Sequence, residues 1–234
     1  MGAILETYRQ LPDELWQSLA LTLRLAVVTT VLLFFIALPL AHWLNTTRFR
    51  GAPFIEALVS LPIVLPPTVI GFYLLVLFAP QHLVGGVWKN VVGSTLTFSF
   101  AGLVIGSMIY SLPFSMQPFQ AALKAVPESC IEAARSLGAS PWRTLWRIRV
   151  PMAKRGLLVG ATLTFAHTVG EFGVVLMLGG SIPGETRVAS IALYDEVQQL
   201  NYANAHAFAA LLLVLSFMLL LVVTFLQRRS VPNT

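Results

Sequence analysis

The sequence predicts an all-α integral membrane protein with about five transmembrane helices. Of its 234 residues, 56% are hydrophobic and only 11% are charged, and the mean hydropathy is strongly positive at +0.78. A soluble domain of this size has roughly a quarter of its residues charged, which keeps its surface hydrated. Several apolar stretches also reach the roughly 20 residues that a helix needs to cross a bilayer. Most of the chain is therefore expected to lie in lipid.

The apolar stretches predict a single transmembrane domain that occupies residues 1–234. They run approximately over residues 19–44, 55–79, 96–116, 157–178 and 205–226. Acidic residues precede the first stretch, which is also much longer than the apolar core of a signal peptide, so we expect it to stay uncleaved. With one cysteine, Cys130, and four scattered histidines, we expect no disulfide, no metal site and no cofactor.

The positive charges predict the orientation in the membrane. Eleven of the fifteen lysine and arginine residues follow the first span, follow the third span or lie at the C-terminus. The other four are Arg9, Lys89 and Arg187 in the alternate segments and Arg24 within the first span. Since cytoplasmic connections carry the excess of positive charge, the N-terminus is expected outside and the C-terminus in the cytoplasm. This alternation explains the net charge of +5 without a nucleic-acid partner.

The longest cytoplasmic connection has the pattern of two short helices. Residues 121–151 read AALKAVPESCIEAARSLGASPWRTLWRIRVP. Pro127 suits the first turn of an amphipathic helix, and Gly138 suits its C-terminal end. Ser140 can then cap a second helix that has Pro141 at its first position. We expect two helices joined at a glycine turn on the basic side of the membrane.

The same loop carries a family resemblance. Glu132-Ala133-Ala134, followed by Gly138, Ile148 and Val150-Pro151, resembles the EAA signature of bacterial ABC importer permeases, with Val150 where leucine is usual. The resemblance implies a type I importer permease fold, in which this loop forms coupling helices that seat in a cleft of a cytoplasmic ATPase dimer. The implied contact residues are Glu132, Ala133, Ala134, Gly138, Ala139 and Pro141. An ordinary amphipathic surface helix is the alternative.

The sequence lacks a nucleotide site of its own. No lysine follows a glycine anywhere, so the phosphate-binding pattern G-x-x-x-x-G-K-[ST] is absent. A separate chain must therefore hydrolyse ATP, and this chain is expected to be a transport subunit and not an enzyme.

The second apolar stretch predicts a break in its helix beside a pathway. Pro62, Pro66 and Pro67 stand at its middle, and each removes a backbone donor, so the helix should kink or open near Leu65. Irregular backbone within a membrane is tolerated only against protein or a watery cavity. We therefore expect Pro66, Pro67 and Thr68 to line a pathway, with simple helix packing as the alternative.

The fourth stretch places an ionisable residue in the membrane. Gly160, Thr164, His167, Thr168 and Glu171 recur at intervals of three and four residues and so share one helix face. Intramembrane carboxyl groups usually face a cavity and serve function. Together with a hydroxyl near the inner end of the third span, the expected pathway residues of this region are Ser111, Thr168 and Glu171.

Two rival functions remain at this point. His167 and Glu171 could serve as the acid and base of an intramembrane enzyme, and a passive channel would also need a polar helix face. Both leave the cytoplasmic loop unexplained.

A longer resemblance suggests the cargo. Gly170-Glu171-Phe172-Gly173 and the stretch 180–187 resemble permeases for tetrahedral oxyanions, and the Ile-Pro-Gly-Glu-Thr-Arg portion is most similar to the molybdate branch, over about residues 19–226. It implies an extracytoplasmic oxyanion-binding protein that docks on the outer loops, where Glu185 and Arg187 are candidates. Arg187 could equally be a solvated loop charge, and sulfate, thiosulfate or tungstate could replace molybdate.

An anionic cargo changes what is expected of Glu171. A free carboxylate would repel a doubly charged oxyanion, so we expect Glu171 to shape the helix bend by holding backbone donors or a cation, or to be protonated. Hydroxyl groups suit the weak contacts that a pathway needs.

The sequence has one coupling loop and no internal repeat, whereas an ABC importer needs two membrane halves. A homodimer in the bacterial inner membrane, with the pathway on its two-fold axis and two ATPase copies beneath, is therefore expected.

Overall fold

A computed structural model describes the backbone of residues 2–228 and the side chains of residues 13–225. Arg9, Arg228 and Arg229, which contribute to the charge pattern, lie outside the described side chains. The helices are α1 (Gly2–Thr46), α2 (Ala52–Val64), α3 (Pro67–Phe78), α4 (Leu83–Val92), α5 (Phe100–Lys124), α6 (Glu128–Ser136), α7 (Pro141–Thr144), a π-helix (Leu145–Arg149), α8 (Val150–Val169), α9 (Gly173–Gly179), α10 (Ala189–Gln198) and α11 (Tyr202–Arg228).

Three long helices form the centre of the fold, since α1 packs against α5 and α8, which also pack against each other. Three helices within the described residues are long and apolar enough to cross a membrane, at residues 13–46, 100–124 and 202–225. Two bent helix pairs, α2 with α3 and the helix of residues 141–169 with α9, raise the count to five if each pair is one span. The predicted all-α membrane fold is confirmed.

The predicted break near Leu65 is confirmed and is larger than a kink. The axes of α2 and α3 differ by 113°. Leu65 and Pro66 both have extended backbone, with ψ of 137° and 136°, as expected for residues that precede a proline. The second predicted span is therefore two separate helices that meet at a sharp corner.

The fourth predicted span is also broken, at residues 170–172, and α9 leaves the axis of α8 by 58°. Gly173 opens α9, and a Cβ atom built on it would lie only 2.7 Å from Pro67 Cβ. The first residue of α9 thus packs directly on the first residue of α3. The two breaks lie side by side in the fold.

The loop of residues 121–151 folds as predicted, with α6 and α7 joined at a glycine turn. Gly138 has a φ of +77°. Its N–H donates to Arg135 O and the N–H of Ala139 donates to Ala134 O, which is the Schellman arrangement that ends a helix. Ser140 Oγ accepts from the N–H of Arg143 and so caps α7. The π-helix then carries the chain into α8 without a loop.

Two further connections between the predicted spans contain helices. The segment 80–95 holds α4, one side of which exposes Leu83, Val87 and Val91. In the longer connection, α10 packs between α1 and α11. The N–H of Ala189 donates to Thr22 Oγ1 at 2.8 Å, which ties the start of α10 to α1.

Candidate functional site

A cavity of about 440 Å³ lies where the two helix breaks meet. Its lining residues are Pro67, Thr68, Tyr110, Ala166, His167, Gly170, Glu171, Phe172 and Gly173. Three of the six predicted pathway residues, Pro67, Thr68 and Glu171, are thus brought together. Pro66 is exposed at the corner immediately before this wall.

Glu171 contributes a carboxyl group to the cavity wall but is only 3% exposed. Within residues 13–225, no backbone donor lies within hydrogen-bond distance of either carboxyl oxygen, and the side chain that faces the carboxyl group is the hydroxyl of Ser107. The carboxyl group of Glu171 thus holds no backbone donor among the described residues, and a bound cation or a protonated carboxyl group stays a prediction. The bend is held instead by Ser190, whose hydroxyl donates to the backbone carbonyl of Glu171 at 2.6 Å.

His167 forms part of the cavity wall, although the sequence suggested a role for this residue only in the rival enzyme. Its Nδ1 lies 2.9 Å from Ser111 Oγ. Its ring stacks on Phe114 at a centroid distance of 3.7 Å and lies 4.8 Å from the ring of Tyr110. With Nδ1 engaged, Nε2 is the ring nitrogen that can meet a passing solute.

Ser111 and Thr168 lie behind the cavity wall, in the interface between α5 and α8. Both are buried, and their hydroxyl oxygens are 3.1 Å apart. One turn along, Ser115 and Thr164 form a second pair at 2.8 Å. These pairs fix the register of the two helices, and the Ser111 pair also sets the orientation of His167.

The cavity combines hydroxyl, imidazole and carboxyl groups, and no lysine or arginine is among its nine lining residues. The first residues of α3, Pro67 and Thr68, also bring the partially positive N-terminal end of that helix to the wall. Such a surface can contact an anion briefly without trapping it, which is the requirement for a transport pathway.

The loop of residues 121–151 presents a separate exposed surface. Leu137 is 89% exposed and Trp142 is 57% exposed, although both are apolar. Four of the six predicted coupling residues are exposed: Glu132, Ala133, Gly138 and Pro141. Ala134 is instead buried on the inner side of α6, and Ala139 is half-buried. Exposed apolar side chains on so short a segment are typical of a protein contact surface.

The sequence profile of the family described as "Binding-protein-dependent transport system inner membrane component" matches residues 34–234. The chain belongs to this family. It is therefore a membrane-embedded transport subunit and not an enzyme.

Individual relatives of this transport family cover nearly the whole chain. The Molybdenum transport system permease protein ModB of Azotobacter vinelandii is 48% identical over 203 residues, 87% of this chain and 90% of that protein. ModB of Escherichia coli K12 is 33% identical over 188 residues, 80% of this chain and 82% of its own. A probable sulfate transport system permease, cysT of Zygnema circumcarinatum, is 34% identical over 210 residues, 89% of this chain and 73% of that protein.

Solved ABC transporters share the fold. A bacterial transporter involved in alginate import superposes with a TM-score of 0.74 at 19% identity, covering 93% of this chain and 80% of that one. The inward-facing methionine transporter MetNI gives a TM-score of 0.71 at 21% identity, with 96% and 97% covered. The predicted fold, that of a type I ABC importer permease, is confirmed.

Arg187, a predicted docking residue of this permease, is an internal cross-link. Its side chain is 13% exposed and lies 3.2 Å from Asp195, 3.5 Å from Glu14 and 3.9 Å from Glu196. It therefore joins the N-terminal part of α1 to α10 and is not a solvated loop charge. Glu185, the other predicted docking residue, is exposed.

Sequence reasoning missed Tyr110 and His167 as wall residues of the permease. A signal was present, because Ser107, Ser111 and Ser115 recur every four residues on α5 and mark a polar helix face. Only the packing of α5 on α8 shows that this face meets the His167 side of α8.

Proposed function

We propose that the chain is the membrane-spanning permease subunit of an ATP-driven importer for molybdate, which a solute-binding protein delivers. The observation that carries this proposal is the 48% identity to a molybdenum permease over 87% of the chain. Sulfate is the second candidate, because a sulfate permease is 34% identical over 89% of the chain. The lower identity makes it the weaker one.

Uptake by reconstituted vesicles tests this proposal. We expect vesicles that hold this chain and its ATPase to accumulate molybdate only with ATP and the binding protein, and a tenfold excess of sulfate to compete poorly. Efficient competition by sulfate would indicate that sulfate, and not molybdate, is the preferred cargo. Flux through vesicles that contain this chain alone would refute the importer and favour a channel.

We propose that α6 and α7 dock on the ATPase through the exposed surface around Leu137 and Trp142, with Glu132, Ala133, Gly138, Ala139 and Pro141 beside them. Ala134 supports this surface from the inner side. The substitution Leu137→Asp places a charge in the contact, and we expect the ATPase to be lost on co-purification. Ser129→Asp is the matched control, since Ser129 is exposed near the start of α6, where an acid suits the helix dipole.

We propose that the functional unit is a homodimer with the pathway between its two copies. Thr68 and Pro66 are exposed in the single chain at the edge of the cavity, so one chain forms only part of an enclosing wall. Ser111 and Thr168 would then act through His167, and Pro67 and Glu171 would face the passing oxyanion. Native mass spectrometry of the assembled transporter should give two copies of this chain and two ATPases, and one copy per complex would refute the dimer.

We propose that the N-terminus is extracytoplasmic, the C-terminus is cytoplasmic and the binding protein docks near Glu185 and Arg187. The positive charges after the first and third spans support this orientation. Reporter fusions at the two termini test it. For docking, Glu185→Lys should weaken binding-protein affinity, whereas Arg187→Gln should also loosen the fold because three carboxylates lose their partner.

A further inference from the structure

A second polar cavity lies between the cytoplasmic end of α1 and the coupling loop. It has a volume of about 260 Å³. Its lining residues are His42, Thr46, Ile131, Arg135, Pro141, Thr144 and Arg149. Two guanidinium groups, an imidazole and two hydroxyl groups therefore converge from four helical segments on one small space.

Arg149 is the central group of this cavity. Its residue is only 6% exposed, and Nε has no hydrogen-bond partner among the side chains and backbone that the structure describes. His42 Nδ1, on the opposite wall, is likewise buried and unpartnered within residues 13–225. A buried donor without a partner costs about 1–3 kcal/mol, and more when it is charged. The tautomer of His42 decides whether its Nδ1 donates or accepts, so the guanidinium Nε of Arg149 is the atom that indicates a missing acceptor.

No carboxylate among residues 13–225 supplies this acceptor to Arg149 Nε. Glu128 is the acidic residue that acts on Arg149 electrostatically, but its carboxylate pairs with Arg135 at 3.5 Å, with both side chains about 60% exposed. This solvent-facing pair leaves Arg149 Nε unsatisfied. The positive charge of the cavity is therefore only partly balanced by the protein.

We propose that this cavity binds a tetrahedral oxyanion, with Arg149 as its main ligand and Arg135 and His42 beside it. The hydroxyls of Thr46 and Thr144 line the cavity but donate to the backbone carbonyls of His42 and Ser140. The planar guanidinium fork suits the oxygens of phosphate, sulfate or molybdate, because it donates two parallel hydrogen bonds. With about 30 Å³ for each water, the cavity has room for one such ion and several waters.

The position of the cavity gives the bound ion a role. Arg149 lies in the π-helix and Arg135 in α6, whereas His42 belongs to α1. An oxyanion held by all of them ties the coupling loop to a transmembrane helix. On the topology proposed above the cavity opens to the cytoplasm, so imported cargo would restrain the loop that the ATPase moves. A phospholipid phosphate in the inner leaflet has the same chemistry and is the other source.

Calorimetric titration of the full chain, purified in detergent without added lipid, tests the site with sodium molybdate and inorganic phosphate as probes. We expect saturable binding, and a Kd about tenfold or more weaker in Arg149→Gln, because a charge-assisted hydrogen bond is lost. Arg147→Gln is the matched control, since Arg147 is exposed in the same π-helix, and it should bind like the parent chain.

A second variant keeps the test informative if Arg149→Gln does not fold. Arg135 is more exposed, so Arg135→Gln should fold and weaken binding about threefold, as expected for a partly solvated charge. Binding that is equal in all variants, or that is lost in His167→Ala instead, would overturn the proposal, because the latter places the ion in the pathway cavity. Absence of any binding, together with absence of retained lipid, would also overturn it.

Native mass spectrometry separates the two sources. A phospholipid that stays with the parent chain and is lost in Arg149→Gln assigns the site to a headgroup, and molybdate binding without such a lipid assigns it to the free ion. Repeating the titration on the complex with the ATPase adds one more outcome. If docking of the ATPase abolishes binding, the cavity receives a partner side chain and the proposal fails. The ATP-dependent uptake assay tests the proposed importer function separately, so its result does not decide whether this cavity binds an oxyanion.

Discussion

The contact between the two helix breaks should be sensitive to a single methyl group. In Gly173→Ala, the new Cβ would lie 2.7 Å from Pro67 Cβ, 3.3 Å from Pro67 C and 3.2 Å from the backbone nitrogen of Thr68. These atoms belong to a proline ring and to backbone, so they cannot rotate away as a flexible side chain would. Either α3 or α9 must move to make room.

The expected cost follows from two opposing terms. Overpacking of this kind destabilises by about 1–3 kcal/mol. Alanine is preferred over glycine in a helix by up to about 1 kcal/mol, and this gain is smaller at the first residue of α9. A net loss of about 1–2 kcal/mol remains, which corresponds to a fall in Tm of roughly 2–8 °C for a chain of this length.

Thermal unfolding of the full chain in detergent measures this loss, with Gly170→Ala as the matched control. Gly170 lies in the same break, has a φ of −84° and offers an added Cβ no atom closer than 3.8 Å. Its Tm should stay near that of the parent chain. If Gly173→Ala melts at or above Gly170→Ala, the two breaks do not pack as described. Molybdate uptake should fall in Gly173→Ala, because Pro67 and Gly173 both line the cavity.

Three further experiments test other parts of the structure. Gly138→Pro cannot keep a φ of +77° or the N–H that ends α6, so the variant should insert into the membrane but uncouple ATP hydrolysis from uptake. Gly93→Pro is the control, because Gly93 has a similar φ outside the loop, and this variant should stay coupled. Normal coupling in Gly138→Pro would contradict the prediction. A double-mutant cycle of Ser115→Ala and Thr164→Val should give a coupling energy of about 0.6 kcal/mol. A value of zero would show that this hydrogen bond does not stabilise the contact between α5 and α8. Glu171→Gln should keep or raise molybdate uptake, because it removes any negative charge from the wall; a tenfold loss would show that the carboxyl group is required.

The first helix break could be predicted from sequence because proline acts locally. Pro66 and Pro67 remove backbone donors wherever they stand, so the corner near Leu65 follows without knowledge of its surroundings. The second break has no such marker. Residues 157–178 read as one apolar run, and the break after Val169 depends on Gly173 packing against Pro67, a contact between distant segments.

The candidate site could be predicted only in part for the same reason. Helical spacing grouped Glu171 with Thr168 and His167, but it could not tell which of them faces the cavity and which faces α5. That choice depends on Ser111, whose hydroxyl engages both His167 and Thr168. Arg149 was hidden because the π-helix shifts the register, so a residue in a basic, solvent-directed segment turns inward.

The π-helix at Leu145–Arg149 has a consequence for insertions and deletions. A π-helical turn holds one residue more than an α-helical turn, so the removal of one residue between 145 and 149 would give a regular α-helix and leave α8 at nearly the same rotation relative to α7. The removal of a second residue has no spare residue to absorb it and would rotate α8 by about 100°, which would turn its polar face away from α5. A single deletion in this segment should therefore be tolerated far better than a second deletion, although the helix would be unbroken in both cases.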